Sequence, residues 1–247
     1  MSRTWYLGLE PGQVAESCVL VGDPGRIDLF ATRLDRPCPV SEQRGLRVLT
    51  GRFRGEAVTV ASFGMGGPLA AIVVEELAQV GVRVFLRAGT AMALDPAPPL
   101  GGFFLAEGAL REEGTSHTYL PASHPARADP LLTERAEGQL IAAGCPYRRG
   151  LIASCDGFYT EMFALDEERE PAVRRRTAGL RRMGAGAVDM ETATVLVVAA
   201  VRGARAASLC LLTVEAATRR RLEQGRMRAG EELLSGLALA TVIGGAP

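Results

Sequence analysis

Three short stretches of this chain carry groups suited to holding an anion. Gly22-Asp-Pro-Gly-Arg26, Gly64-Met-Gly-Gly-Pro68 and Arg87-Ala-Gly-Thr90 each follow a run that reads as a strand, and each reads as a glycine-containing turn. In open α/β sheets, ligands gather outside the carboxyl ends of strands. Two of the turns bring an arginine and one adds a threonine hydroxyl. Backbone amides, a hydroxyl and two guanidinium forks are what a phosphate binds. Ordinary turns with solvated arginines fit the same spacing. A second feature is Asp189-Met-Glu191, two carboxylates at the mouth of a very apolar segment. Either they cap a helix, whose N-terminus favours negative charge, or one of them accepts hydrogen bonds from sugar hydroxyls.

Composition removes several other chemistries. The chain has 28 basic and 28 acidic residues, so it lacks the clustered basic excess of a nucleic-acid footprint. Every basic residue is arginine, which excludes a lysine Schiff base and a P-loop lysine and leaves any anion to guanidinium groups and backbone amides. The five cysteines form no C-x-x-C pair, and His117 and His124 are the only histidines, so neither a metal site nor a Ser-His-Asp triad is expected. The cysteines read as small buried hydrophobes in a reducing compartment. No apolar run reaches the ~18–20 residues of a membrane span, and the first residues do not read as a signal peptide, so a cytoplasmic protein is expected.

With 247 residues, 47% of them hydrophobic, the chain can bury one sizeable core. The patterning predicts strands over 17–22, 47–53, 57–62, 82–87, 102–106, 150–154 and 206–214. It predicts helices over 27–34, 68–80, 130–143, 170–182, 191–202 and 221–243. Strands alternating with helices make this an α/β chain, read as a single domain over 1–247. The helix over 68–80 is apolar nearly all round, more so than one internal face would bury.

Taken in order, the motifs resemble those of the purine/uridine nucleoside phosphorylase family, which includes the hexameric purine nucleoside phosphorylases. They are the Gly22–Arg26 turn, Arg44-Gly45, Ser62-Phe-Gly-Met-Gly-Gly-Pro68, Glu76-Leu77, Arg87–Ala91, Cys155-Asp-Gly-Phe-Tyr159 and Asp189-Met-Glu-Thr-Ala193. The resemblance runs from about Tyr6 to the last helix. It implies a three-layer α/β/α fold around a mixed, partly barrel-like sheet. It also implies phosphorolysis of a nucleoside to ribose 1-phosphate and free base, with inorganic phosphate as co-substrate and no cofactor or metal. By this resemblance Gly22, Arg26, Arg44, Arg87 and Thr90 would bind phosphate, and Tyr6, Met65, Met190 and Glu191 the ribose. Phe158, Met92 and Val214 would lie at the base, with Glu191, Arg87 and Arg26 carrying catalysis. Arg44 and Tyr6 would serve a neighbouring subunit, in a hexamer of two-fold dimers.

The chain departs from the family at the base. The purine enzymes' proton-donating aspartate falls on Val214, without gaps from Glu191, and Glu215 replaces it only if the strand register slips. The uridine enzymes' glutamine and arginine fall on Met162 and Ala164. A family glycine is Met92, a family histidine is Tyr6, and a preferred serine is Leu69. Because both pyrimidine-gripping residues are absent, a purine is slightly favoured. A uridine phosphorylase, a hydrolytic nucleosidase and a non-catalytic ligand-binding homologue remain alternatives.

Overall fold

The computed structural model describes residues 3–243. The elements are β1 (Ser17–Val21), α1 (Ile27–Ala31), β2 (Asp35–Gln43), β3 (Leu46–Phe53), β4 (Glu56–Ser62), α2 (Gly67–Gln79), β5 (Val84–Ala93), β6 (Phe103–Glu112) and α3 (Thr115–Tyr119). There follow β7 (Ala126–Arg127), α4 (Pro130–Ala142), β8 (Tyr147–Cys155), α5 (Glu170–Arg182), β9 (Ala185–Asp189), α6 (Thr192–Val201), β10 (Arg205–Glu215) and α7 (Gln224–Val242). The chain has the expected three-layer α/β/α architecture.

Part of the sheet closes on itself. β10 pairs with β6, β6 with β8, β8 with β9, β9 with β5, and β5 with β10. From this ring the sheet continues outward through β1, β4, β3 and β2. β5 and β10 are nearly continuous apolar runs because strands enclosed on both faces meet no water. α2 packs with α3 and α6, α4 and α1 pack with α7, and α5 packs on β9. Residues Thr192 to Ala199 of α6 are all buried, as its unbroken apolar sequence requires.

The ring explains where a ligand can enter. One edge of β5 pairs with β10 along its whole length. The other edge pairs with β1 as far as Leu20 opposite Arg87, and with β9 only from Met92 opposite Val188. Between Arg87 and Met92 that edge has no strand partner in either register. The carboxyl ends of β1 and β9 converge on this gap, which is where α/β sheets hold ligands.

Several expectations change. Arg87–Thr90 is not a turn: β5 stays extended to Ala93 because β10 pairs with it throughout. β2 was not predicted because Pro37 and Pro39 interrupt it; as an edge strand pairing only with β3 it tolerates the missing donors. β9 has the weak β-former sequence Ala-Gly-Ala-Val-Asp and is extended because β8 and β5 hold it. α2 leaves little surplus apolar surface: Ala70, Val73, Val74 and Leu77 are buried within the chain, partly against α6, and only Leu69 of its large apolar residues is exposed. Cys18, Cys155 and Cys210 are buried as expected, whereas Cys38 is exposed on the edge strand. Among the described residues no helix is long and apolar enough to cross a membrane.

Candidate active site

A cavity of about 450 Å3 occupies the gap beside β5. Gly22, Arg26, Met65, Arg87, Thr90, Met92, Phe158, Met190, Glu191 and Val214 all line it. Those ten expected residues come from six separate stretches of chain. Tyr6 and Arg44 do not line it. They meet each other instead, with the Arg44 guanidinium 5.0 Å from the centre of the Tyr6 ring. The segment that carries Tyr6 is pinned by Glu76 of α2, whose two carboxylate oxygens accept from the Tyr6 and Leu7 backbone N–H groups at 2.7 Å each. A larger, more open groove of about 830 Å3 between β6, β7 and β8 is lined by His117 and His124; none of the expected site residues reaches it.

The centre of the cavity is an ion cluster. Arg87, only 3% exposed, donates from Nη2 to Glu191 Oε2 at 2.6 Å and lies 3.2 Å from Asp189 Oδ2. Its Nη1 donates to the Cys210 sulfur at 2.8 Å, while Nε is buried without a hydrogen-bond partner. Burial pulls the Arg87 pKa down, but Cys210, Asp189 and Glu191 more than offset this and hold it above its ordinary value. The expectation of a solvated or freely offered guanidinium on a turn is thus corrected: Arg87 lies folded back along its own strand. Gly89 makes that possible, since a Cβ there would sit 2.1 Å from Arg87 Nη1.

The two carboxylates divide the roles that the sequence left open. Asp189 is the cap. It accepts from the Thr192 N–H at 3.2 Å and hydroxyl at 2.5 Å, and from the Ser154 hydroxyl at 2.6 Å. Glu191 makes no side-chain cap. It reaches across the cavity, accepting from Arg87 with one oxygen and from the Gly66 N–H with the other at 2.8 Å. Gly66 presents that N–H from φ 92°, a left-handed conformation that glycine adopts without strain.

Arg26 also lines the cavity. It follows the Pro24–Arg26 turn, in which Asp23 accepts from the Gly25 N–H at 2.8 Å. Its guanidinium is paired with Glu231 of α7 at 2.9 Å, a partner that nothing in the sequence signals because 205 residues separate them.

Part of the lining is apolar. Met92, Met162, Val188 and Phe163 belong to a second hydrophobic cluster, and Phe158, Met190 and Val214 pack against it. Phe158 opens a single π-helical turn, Phe158–Met162, in which Glu161 accepts from the Gly157 N–H at 2.9 Å and is braced by Arg176. The register does slip next to Val214: a bulge between Leu212 and Val214 leaves Thr213 unpaired with β5. Its effect is to bring Thr213 to the cavity wall together with Val214, not to turn Glu215 inward. Glu215 accepts from Thr218 and Arg220, which hold its carboxyl below the ordinary range and make it a poorer proton donor. Met92 and Met162 line the cavity together with Phe158.

This arrangement has relatives. A family model described as Phosphorylase superfamily matches residues 16–242. The chain is 33% identical over 208 residues to a uridine phosphorylase of Thermococcus kodakarensis, covering 83% of this chain and 75% of the relative. It is 34% identical over 210 residues to a guanosine phosphorylase of Halorubrum lacusprofundi, covering 85% and 83%. A solved uridine phosphorylase structure from Vibrio fischeri superposes with a TM-score of 0.87 at 29% identity, covering 98% of this chain and 96% of that one. With the motifs, the ring-and-extension sheet and these matches in agreement, the chain belongs to the phosphorylase superfamily, among the purine and uridine nucleoside phosphorylases.

Proposed function

We propose that the protein cleaves a nucleoside by phosphorolysis, giving ribose 1-phosphate and free base. The observation that carries this is the lining of the cavity. One cavity brings together the guanidinium groups of Arg26 and Arg87 with Gly22 and Thr90, the Glu191 carboxylate bonded to Arg87, and an apolar cluster around Phe158 and Met92. A phosphate, a sugar and a base need these three environments.

In the reaction, a phosphate oxygen attacks the anomeric carbon while the carbon–nitrogen bond breaks and the base leaves with the electron pair. Arg26, Arg87 and the Thr90 hydroxyl hold the phosphate beside the sugar, which removes the entropy cost of bringing the reactants together. Glu191 accepts hydrogen bonds from the ribose hydroxyls, and its charge favours the positive sugar that develops. Arg87 donates to Glu191 and lines the same cavity as Arg26 and Thr90, so one side chain serves both phosphate and sugar. Nothing in this account needs a cofactor or a metal.

The base is read from a different kind of support. Among the relatives above, two are uridine phosphorylases and one a guanosine phosphorylase. The slight preference for a purine therefore finds no support, and uridine is the first substrate to test. Met92, Met162 and Val214 offer the base no polar side chain and Thr213 alone adds a hydroxyl beside Val214, so discrimination between bases is weak. Arg44 and Tyr6, stacked on each other away from their own cavity, complete a neighbour's site in a homo-oligomer built from two-fold dimers, in the full form a hexamer.

The test is thermal. Uridine or guanosine raises Tm further when phosphate is present than when it is absent, because each ligand stabilises the folded chain by mass action and both occupy one cavity. Stabilisation by nucleoside that ignores phosphate favours a nucleosidase, and no stabilisation by either removes the site.

A further inference from the structure

We propose that Glu231 is a positioning residue for the phosphate end of the cavity: it grips one edge of the Arg26 guanidinium and thereby turns the other edge toward the anion. The inference rests on reading the cavity as a phosphorolysis site.

The geometry is one-sided. Arg26 Nε donates to Glu231 Oε1 at 2.9 Å, and Nη2 lies 2.9 Å from the same oxygen. A guanidinium has five N–H donors in a rigid plane. No hydrogen bond from a described residue uses Nη1, and Arg26 lines the cavity. The Nη1–Nη2 edge is therefore the one offered to a phosphate, and a planar fork gripped from behind meets phosphate oxygens two at a time.

The holder is itself held. Arg33, just beyond α1, donates from Nε to the Ser235 hydroxyl and from Nη2 to the Glu232 carbonyl, both at 2.7 Å. Ser235 is fully buried. These bonds tie down α7 at Glu232 and Ser235, immediately beyond Glu231, and so hold its backbone close to α1 and the turn that carries Arg26. Both members of the pair are mostly buried, with side-chain exposures of 14% and 17%. A long arginine chain that would otherwise sample many rotamers is thus ordered before phosphate arrives.

Glu231 also brings a negative charge near an anion site. As it occupies the edge of Arg26 used by Nε, it does not stand where phosphate binds, and its residual exposure lets water screen the repulsion. Positioning therefore outweighs competition, and the two make opposite predictions.

The experiment compares Glu231→Ala, Glu231→Gln, Arg26→Ala and the Arg26→Ala/Glu231→Ala double variant. Phosphate affinity is measured both as KM and as a calorimetric Kd, so that a chain without turnover still answers. The expected result is a phosphate KM raised at least fivefold in Glu231→Ala, with kcat and the nucleoside KM within twofold of the parent. Glu231→Gln, which keeps the accepting oxygen, lies within twofold in phosphate KM. The double variant is no worse than Arg26→Ala alone, because Glu231 acts only through Arg26. Tighter phosphate binding in Glu231→Ala overturns the proposal in favour of a competing anion. Equal losses for phosphate and nucleoside, or no loss, overturn it as well. If Arg26→Ala leaves phosphate affinity unchanged, the phosphate site itself is misplaced; if Arg26→Ala weakens it and Glu231→Ala does not, only the role of Glu231 fails.

Discussion

Arg87 Nη2 meets Glu191 Oε2 at 2.6 Å with both side chains buried, and this contact ties β5 to the N-terminus of α6 in the wall of the cavity. Asp189, 3.2 Å from the same nitrogen, makes the cluster one cation among two carboxylates. Removing the cation leaves two buried carboxylates without a countercharge, which costs about 3–5 kcal/mol. Arg87→Ala is therefore expected to lower the free energy of unfolding by that order in a denaturant titration and to abolish stabilisation by phosphate. A variant as stable as the parent would mean that the cluster is solvated in solution.

Gly89 is expected to be as sensitive as the charged residues. Its substitution by alanine places a Cβ against Arg87 Nη1, and the guanidinium must swing away from Glu191 and Cys210. Gly89→Ala should lose at least tenfold in kcat/KM, about 1.4 kcal/mol in the transition state, while remaining folded. Retained activity in this variant, with Arg87 still on Glu191 in its structure, contradicts the packing argument.

The base end yields a prediction with a sign. Glu215 is tied to Thr218 and Arg220, and its carboxyl is held below the ordinary range, so it is ionised at neutral pH and gives no proton to the base. Glu215→Gln should leave kcat/KM within twofold at every pH. Val214→Asp adds a carboxyl to an apolar surface, where burial raises its pKa. The variant should gain purine phosphorolysis, and that gain should fade as pH rises through the new pKa and the acid ionises. A gain that instead grows with pH would rule out proton donation.

Much of the site could be read before the fold was known, because glycine turns, paired carboxylates and motif order are local properties of sequence. Ten of the twelve expected site residues line one cavity. What could not be read depends on distance. The Arg26–Glu231 pair spans 205 positions. The bulge at Thr213 arises from pairing β10 with β5, not from any turn residue. Arg87–Thr90 resembled a turn because of Gly89, whose small size in fact accommodates the Arg87 side chain within a continuous strand. β9, poor in β-formers, is extended only because β8 and β5 flank it.

Tyr6 and Arg44 give a prediction about assembly. Their stacking at 5.0 Å, outside their own cavity, fits a pair presented to a neighbour. Sedimentation should show an oligomer made of dimers. Arg44→Ala should weaken phosphate binding without altering the fold of the subunit. Inactive Arg87→Ala subunits mixed with Arg44→Ala subunits should recover part of the activity if sites are shared. A stable monomer that turns over nucleoside at the rate of the assembled protein refutes the shared site.

The central claim is that phosphate is the nucleophile, and product analysis tests it most directly. Purified protein is incubated with uridine or guanosine, with and without inorganic phosphate, and the sugar product is followed by phosphorus and proton resonance. Because Arg26, Arg87 and Thr90 line a single cavity together with Glu191, the account predicts base release only with phosphate, in equal amount with ribose 1-phosphate. Free ribose formed at the same rate in the absence of phosphate would contradict it and make the protein a hydrolase.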